Sequence, residues 1–255
     1  MGGVRAKKSL GQHFLKNEMI CADIAKAITL HEGYERVLEV GPGTGNLTKH
    51  LLERKDIKLV VTEIDRDSIA YLNQHFGELD GKILEEDFLK INLAELSDEQ
   101  MGVVGNFPYN ISSQILFKVL DYREMVPEVV GMFQKEVAER IASPAGPKEY
   151  GVISVLLQAY YDIEYLFTVG SHEFIPPPKV QSAVIRLTRK SDQELGCDPK
   201  LFRSIVKMSF NQRRKTMRNS LKPMIVEREV DKDLPVFSQR PEQLSVEEFV
   251  ALTKI

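Results

Sequence analysis

The chain of 255 residues contains no tryptophan and only two cysteines. Cys21 and Cys197 are far apart and fit no metal or redox spacing, a single disulfide between them is disfavoured in a reducing compartment, and so few cysteines exclude a disulfide-stapled secreted scaffold. Both are read as buried thiols, and no metal site is expected. No apolar run approaches the ~18–20 residues a membrane span needs. The basic start (Arg5, Lys7, Lys8) is not followed by an apolar signal segment before Gly11-Gln12-His13. The expectation is a cytoplasmic protein with no membrane partner. The Asn-x-Ser/Thr matches at Asn46 and Asn110 would then carry no glycan.

Acids are missing from two stretches. Residues 1–17 carry Arg5, Lys7, Lys8 and Lys16, and residues 201–226 carry Arg203, Lys207, Arg213, Arg214, Lys215, Arg218 and Lys222, with no carboxylate in either. The net charge of −3 argues against a polyanion partner, but local fields decide whether a phosphate backbone is attracted. A hydrophobic share of 43% and a charged share of 28% suit a soluble domain with a real core.

No internal repeat is visible. Asn17 can cap a helix whose Ile20, Ile24, Ala25 and Ile28 share a face. Short apolar or β-branched segments then alternate with helical ones. The strands are read as Val37–Val40, Lys58–Ile64, Lys82–Leu84, Met101–Gly105, Glu128–Phe133, Leu166–Val169 and Val180–Thr188. Such alternation implies a doubly wound α/β fold, a mainly parallel seven-stranded sheet with helices on both faces. The polar stretch Lys190–Pro199 marks a boundary, so residues 1–190 form the α/β domain and residues 191–255 a small helical domain.

Leu38-Glu39-Val40-Gly41-Pro42-Gly43-Thr44-Gly45 leaves the first of these strands and enters a helix. Gly41 and Gly43 let the backbone turn sharply and approach a ligand. Glu63 ends the next strand, roughly 20 residues on, where a carboxylate can accept ribose hydroxyls. Asp87, after the third strand, can take an adenine amino group or sit in an exposed turn. A dinucleotide fingerprint would need glycine at Asn46 and has no use for an acid at Glu39. S-Adenosylmethionine has no pyrophosphate, and its positive sulfonium and amino groups welcome nearby acids. The pattern favours the methyl donor over NAD.

Asn106-Phe107-Pro108-Tyr109 follows the fourth strand at its carboxyl end, the edge that carries ligands in doubly wound sheets. An adenine N6 is a poor nucleophile because its lone pair is delocalised into the ring. Two acceptors aimed at its hydrogens, the Asn106 side-chain oxygen and the Phe107 carbonyl, would draw that pair onto nitrogen and stabilise the charge that develops. Pro108 holds its predecessor extended and so fixes the carbonyl. Tyr109 offers a flat face for the base. No base of unusual pKa is required.

These segments, with Ser9–Leu15, Phe174–Ser182 and Ser209–Leu221, resemble in order those of the KsgA family of ribosomal RNA adenine dimethyltransferases, relatives of the Erm enzymes. The resemblance implies a Rossmann-like methyltransferase with a reversed final strand, and His13 and Leu15 beside the cofactor with Gly41, Glu63, Asp87 and Asn106. It implies Phe174 near the second face of the target base, although the residue also reads as a hydrophobic plug. It implies dimethylation of two adjacent adenosines in the hairpin loop near the 3′ end of small-subunit RNA, within a pre-ribosomal particle. Arg213, Arg214 and Lys215 are read as a basic helix face set against phosphates. An Erm-type enzyme acting on large-subunit RNA and a non-catalytic RNA-binding assembly factor stand as alternatives. A monomer is expected.

Overall fold

Five of the expected strands run parallel and make the body of one sheet. The structure, a computed structural model, describes residues 4–255. Its strands are β1 (Phe14–Leu15), β2 (Arg36–Val40), β3 (Lys58–Thr62), β4 (Ile83–Leu84), β5 (Met101–Asn106), β6 (Glu128–Gln134), β7 (Tyr161–Val169), β8 (Phe174–Ile175) and β9 (Ser182–Arg189). Its helices are α1 (Glu18–Lys26), α2 (Thr48–Glu53), α3 (Arg66–His75), α4 (Leu93–Leu96), α5 (Ser112–Asp121), α6 (Lys135–Ala142), α7 (Val152–Gln158), α8 (Pro199–Asn211), α9 (Met217–Ser220), α10 (Lys222–Glu227) and α11 (Val246–Ala251).

The large sheet has the order β4-β3-β2-β5-β6-β9-β7. β4, β3, β2, β5 and β6 pair in parallel. β9 runs antiparallel to β6, from Glu128↔Thr188 to Gln134↔Ser182, which is the reversed final strand. Strands buried on both faces read as continuous apolar runs, and β5 is buried from Met101 to Gly105. Val37, Val61, Val104 and Val130 of the sheet share a core with Ile24, Leu51 and Leu72 of the helices. Asn17 caps α1 as expected, its side-chain oxygen accepting from the amides of Met19 and Ile20.

β1 and β8 form a separate two-stranded antiparallel pair, Phe14↔Ile175 and Leu15↔Phe174. Two residues are too few for a period-2 signal, so neither strand was expected. β7 begins at Tyr161, not Leu166, because Tyr161-Asp162-Ile163-Glu164-Tyr165 alternates aromatic or apolar with acidic residues directly behind α7.

The chain divides into two compact units. The first takes the described residues through Ala138 together with Ile163–Arg189, and the second takes Glu139–Asp162 with Lys190–Ile255. The expected boundary at Lys190 therefore needs correction: Glu139–Asp162 belongs with the C-terminal helices. The cause is packing. In the second unit α7 packs on α8 and α11, and Tyr150 meets Phe210 edge-on at 6.2 Å between ring centres. Arg213, Arg214 and Lys215 also depart from expectation. α8 ends at Asn211, and the cluster lies on the turn before α9, closed by the Lys215 amide donating to the Gln212 carbonyl at 2.7 Å.

Candidate active site

The carboxyl ends of β2, β3, β4 and β5 open onto a cleft with about 1140 Å³ of space free of protein atoms. Gly41, Gly43, Glu63, Asp87 and the whole Asn106–Tyr109 segment line it. His13 and Leu15 also line it, so the structure brings together every residue expected beside the cofactor.

The N-terminal arm forms one wall. Asn106 Nδ2 donates to the His13 carbonyl at 2.8 Å, and Asn46 Nδ2 donates to the Leu15 carbonyl at 2.5 Å. Asn46 thus uses the position that a dinucleotide site would give to glycine to hold the arm. A Cβ on Gly43, which has φ +57°, would lie 2.7 Å from Phe14 Cε1, so only glycine lets the arm's phenylalanine lie against the loop. Further back, the Lys7 ammonium sits on Asp65 and bonds Asp67 at 2.7 Å. Gln12 Nε2 donates to Asp65 at 3.0 Å. Lys7, counted above among the basic residues of the arm, is therefore engaged in an internal ion pair. Asp65 is pushed up by burial, but its bonds from Lys7, Gln12 and Ser68 outweigh this and hold its carboxyl below the usual range.

Two buried acids face the cleft. Glu63 accepts from the amides of Gly43 (3.1 Å), Ile64 (2.8 Å) and Asp65 (2.9 Å). A carboxylate has about four acceptor positions, so one remains for a further donor, and a second would have to replace the Gly43 amide. Burial still raises the Glu63 proton affinity despite those bonds. Glu39 is 1% exposed and accepts from the Thr48 hydroxyl at 2.7 Å. Burial, with the charge of Glu63, pushes it up to about 8 against the pull of Thr48. Neither acid has a Lys, Arg or His ion-pair partner among the described residues. An acid pair without a cation fits a positively charged ligand. Ile64, next to Glu63, is 48% exposed on the cleft wall and offers an apolar face that the sequence reading did not single out.

The Asn106–Tyr109 segment is anchored on both sides. The Phe107 ring is buried and meets Phe133 edge-on at 5.2 Å. The Tyr109 hydroxyl bonds Ser182 Oγ at 2.5 Å, which gives the Lys179–Ser182 segment a task that no motif spacing announces. Burial raises the Tyr109 proton affinity against the pull of Ser182, which keeps the phenol neutral. The His13 ring stacks beside that of Tyr109, 5.6 Å between centres and tilted 26°, with Nδ1 2.8 Å from the Pro176 carbonyl.

Phe174 requires a correction. It is 1% exposed, belongs to the hydrophobic core and does not line the cleft. Successive residues of a strand face opposite sides, and in β8 it is Ile175 that points outward. The plug reading describes its placement.

A parallel sheet reversed at its last strand, carrying an acid-lined cleft at the strand ends, defines a Rossmann-like methyltransferase. The chain belongs to the ribosomal RNA adenine dimethylase family, whose model matches residues 3–252. Ribosomal RNA small subunit methyltransferase A of Cytophaga hutchinsonii is 55% identical over 255 residues, covering 100% of this chain and 98% of that one. The crystal structure of a dimethyladenosine transferase from Plasmodium falciparum has a TM-score of 0.77 at 25% identity, covering 94% of this chain and 96% of its own. That of the 23S rRNA methyltransferase ErmE has a TM-score of 0.68 at 24% identity, covering 95% and 100%, and shares the fold.

Proposed function

We propose that this protein is a cytoplasmic, monomeric S-adenosylmethionine-dependent enzyme. It dimethylates N6 of two adjacent adenosines in the 3′-terminal hairpin loop of small-subunit ribosomal RNA, within a pre-ribosomal particle. The observation that carries the chemistry is the Asn106 amide. Its nitrogen is committed to the His13 carbonyl, which leaves its oxygen as an acceptor at the cleft. The choice of small-subunit RNA follows the 55% identical relative.

The cleft fits the donor by the chemistry of its walls. Glu39 and Glu63 suit its cationic and hydroxyl groups, Asp87 its adenine amino group, and Gly41, Gly43, His13 and Leu15 supply close backbone. When bound, S-adenosylmethionine supplies an electrophilic methyl group on a positively charged sulfur. Asn106 Oδ1 and the Phe107 carbonyl accept the N6 hydrogens of a base held out of its stack against Tyr109. The nitrogen lone pair is thereby available to bond the methyl carbon as the carbon–sulfur bond breaks. One N6 proton leaves to solvent after each transfer, so no titrating side chain is assigned to it.

Label from S-adenosylmethionine should appear as N6,N6-dimethyladenosine in under-methylated small subunits and not in protein-free large-subunit RNA. The reverse pattern would assign the Erm-type activity instead. No label in either, from protein that binds the donor, would favour a non-catalytic assembly factor.

Glu39 predicts a pH dependence. Its folded proton affinity lies above the ordinary 4.5, at about 8. Between these values the folded protein holds a proton that the unfolded chain has lost, so this residue's contribution to stability falls as pH rises through the window. A cation needs the ionised form, so donor binding below about pH 8 should release a proton and tighten as pH rises, levelling off above it. Calorimetry in buffers of different ionisation enthalpy reads the proton. Glu39→Gln should abolish the release and weaken binding, and unchanged release in that variant would count against the assignment.

Arg213, Arg214 and Lys215 are assigned to phosphate contact. Replacing Arg213 and Arg214 by Ala should weaken RNA binding and reduce the slope of log K against log salt by roughly 1–2 units, with donor affinity unchanged. An unaltered slope would remove them from the interface.

A further inference from the structure

A lysine in the middle of a helix normally keeps its ammonium in water, because burying an unpaired charge is costly. Lys118 of α5 is 9% exposed. Its Nζ donates to the Phe88 carbonyl at 2.5 Å and to the Ile91 carbonyl. It lies 5.1 Å from the centre of the Phe88 ring and 5.7 Å from that of Tyr122. Burial lowers its proton affinity, and the charge of Asp87 pulls the other way. This side chain is turned inward onto one short segment, the turn that begins at Asp87.

That turn is wound tightly. Asp87 Oδ1 accepts from the Leu89 amide at 3.0 Å. The Asp87 carbonyl accepts from the amides of Lys90 (2.8 Å) and Ile91 (3.2 Å). On its β-sheet side the Thr62 hydroxyl donates to the Glu86 carbonyl at 2.7 Å. Phe88 and Ile91 are themselves buried, so without Lys118 their carbonyls would lose the charged donor that ties them to α5. Asp87, Phe88 and Leu89 line the cleft, whereas Lys118 does not.

We infer that Lys118 is a positioning residue for the cofactor: it holds the Asp87 turn so that the Asp87 carboxylate and the Phe88 backbone meet the adenine end of the donor. The inference rests on the reading of Asp87 as the adenine partner. Lys118 lies outside the cleft lining, so its effect belongs in donor affinity and not in the chemical step. Its loss should also be felt only through Asp87.

The test is a double-mutant cycle on binding of S-adenosylhomocysteine, read by calorimetry, with turnover at saturating donor and thermal midpoints measured in parallel. Lys118→Met should weaken binding about tenfold, the scale of one lost buried hydrogen bond, while turnover at saturation stays within about twofold. Asp87→Ala should weaken binding at least as much. The double variant should bind within about twofold of Asp87→Ala alone, because the two act as one unit. Lys118→Arg, which keeps charge and donors, should recover part of the affinity. Should Lys118→Met fail to fold, Lys118→Gln, with a neutral and shorter donor group, is read in the same way. Unchanged affinity with a lowered thermal midpoint would reduce Lys118 to a structural role and overturn the inference. Additive losses would overturn it too, since Lys118 would then act other than through Asp87. Normal affinity in Asp87→Ala would instead overturn the underlying reading of the adenine site.

Discussion

Asn106→Ala is expected to lower turnover by about 10²–10³-fold while leaving RNA affinity within a few-fold. The magnitude is that of removing one preorganised electrostatic group from a reacting centre. The side chain does two things. Its nitrogen donates to the His13 carbonyl at the cleft wall, and its oxygen is the acceptor assigned to the N6 hydrogen. Alanine deletes both the acceptor and the tie to the arm. The two losses can be separated. Asn106→Asp keeps an acceptor but sets a carboxylate against the His13 carbonyl, so it should retain more activity than alanine and bind the arm less well. The second methyl transfer sharpens the test. An N6 that already carries one methyl group has a single hydrogen left, so only one acceptor can act on it. If Asn106 serves that step, a residually active variant should accumulate monomethyladenosine. Normal dimethylation by Asn106→Ala would sink the mechanism.

Much of this site was legible because its chemistry lies in contiguous segments. Strand-end loops in a doubly wound sheet converge by topology, so Gly41, Glu63, Asp87 and Asn106 could be placed at one edge from the alternation alone. All four line the cleft. The arm was not legible in that way. By spacing, His13 reads as a surface residue. It reaches the cleft through contacts distant in sequence: Asn106 to His13, Asn46 to Leu15, and Lys7 to Asp65. The pairing of β1 with β8 joins two-residue strands, too short to carry a periodic signal. Lys118 escaped notice because a lysine on a helix reads as solvated.

The division into units was missed for a related reason. α7 is apolar nearly all round and buried from Ile153 to Leu157, a pattern that says the helix is enclosed but not by what. Tyr150 and the α7 side chains pack on α8 and α11, a partner choice made by three-dimensional complementarity. Phe174 shows the same limit. Its apolarity was compatible with stacking on a base and with plugging the core, and the alternation of β8 decides which way the ring faces.

Gly131→Ala should be the most damaging substitution outside the cleft itself, with a loss of roughly 10²-fold in turnover. Gly131 of β6 pairs with Gly105 of β5, and the buried Phe107 ring lies against both. A Cβ on Gly131 would fall 2.2 Å from Phe107 Cε2 and 2.8 Å from Phe133 Cε2. The ring cannot retreat toward Gly105, where an added Cβ would itself meet Phe107 Cε1 at 2.9 Å and the Val40 carbonyl oxygen at 2.6 Å. The methyl group must therefore push Phe107, and the carbonyl assigned to the N6 hydrogen moves with it. Overpacking of this kind costs roughly 1–3 kcal/mol, which lowers the melting temperature by several degrees in a chain of this size without unfolding it. Donor affinity should change little, since Gly131 lies outside the cleft lining. Gly77→Ala is the control, because a Cβ there meets nothing within 4 Å and the backbone is not left-handed. Adding Phe107→Leu to Gly131→Ala returns space to the ring's site, so the pair should be more active and more stable than additivity allows. Full activity in Gly131→Ala, at an unchanged melting temperature, would mean that the ring is free to move and that its burial does not set the catalytic carbonyl.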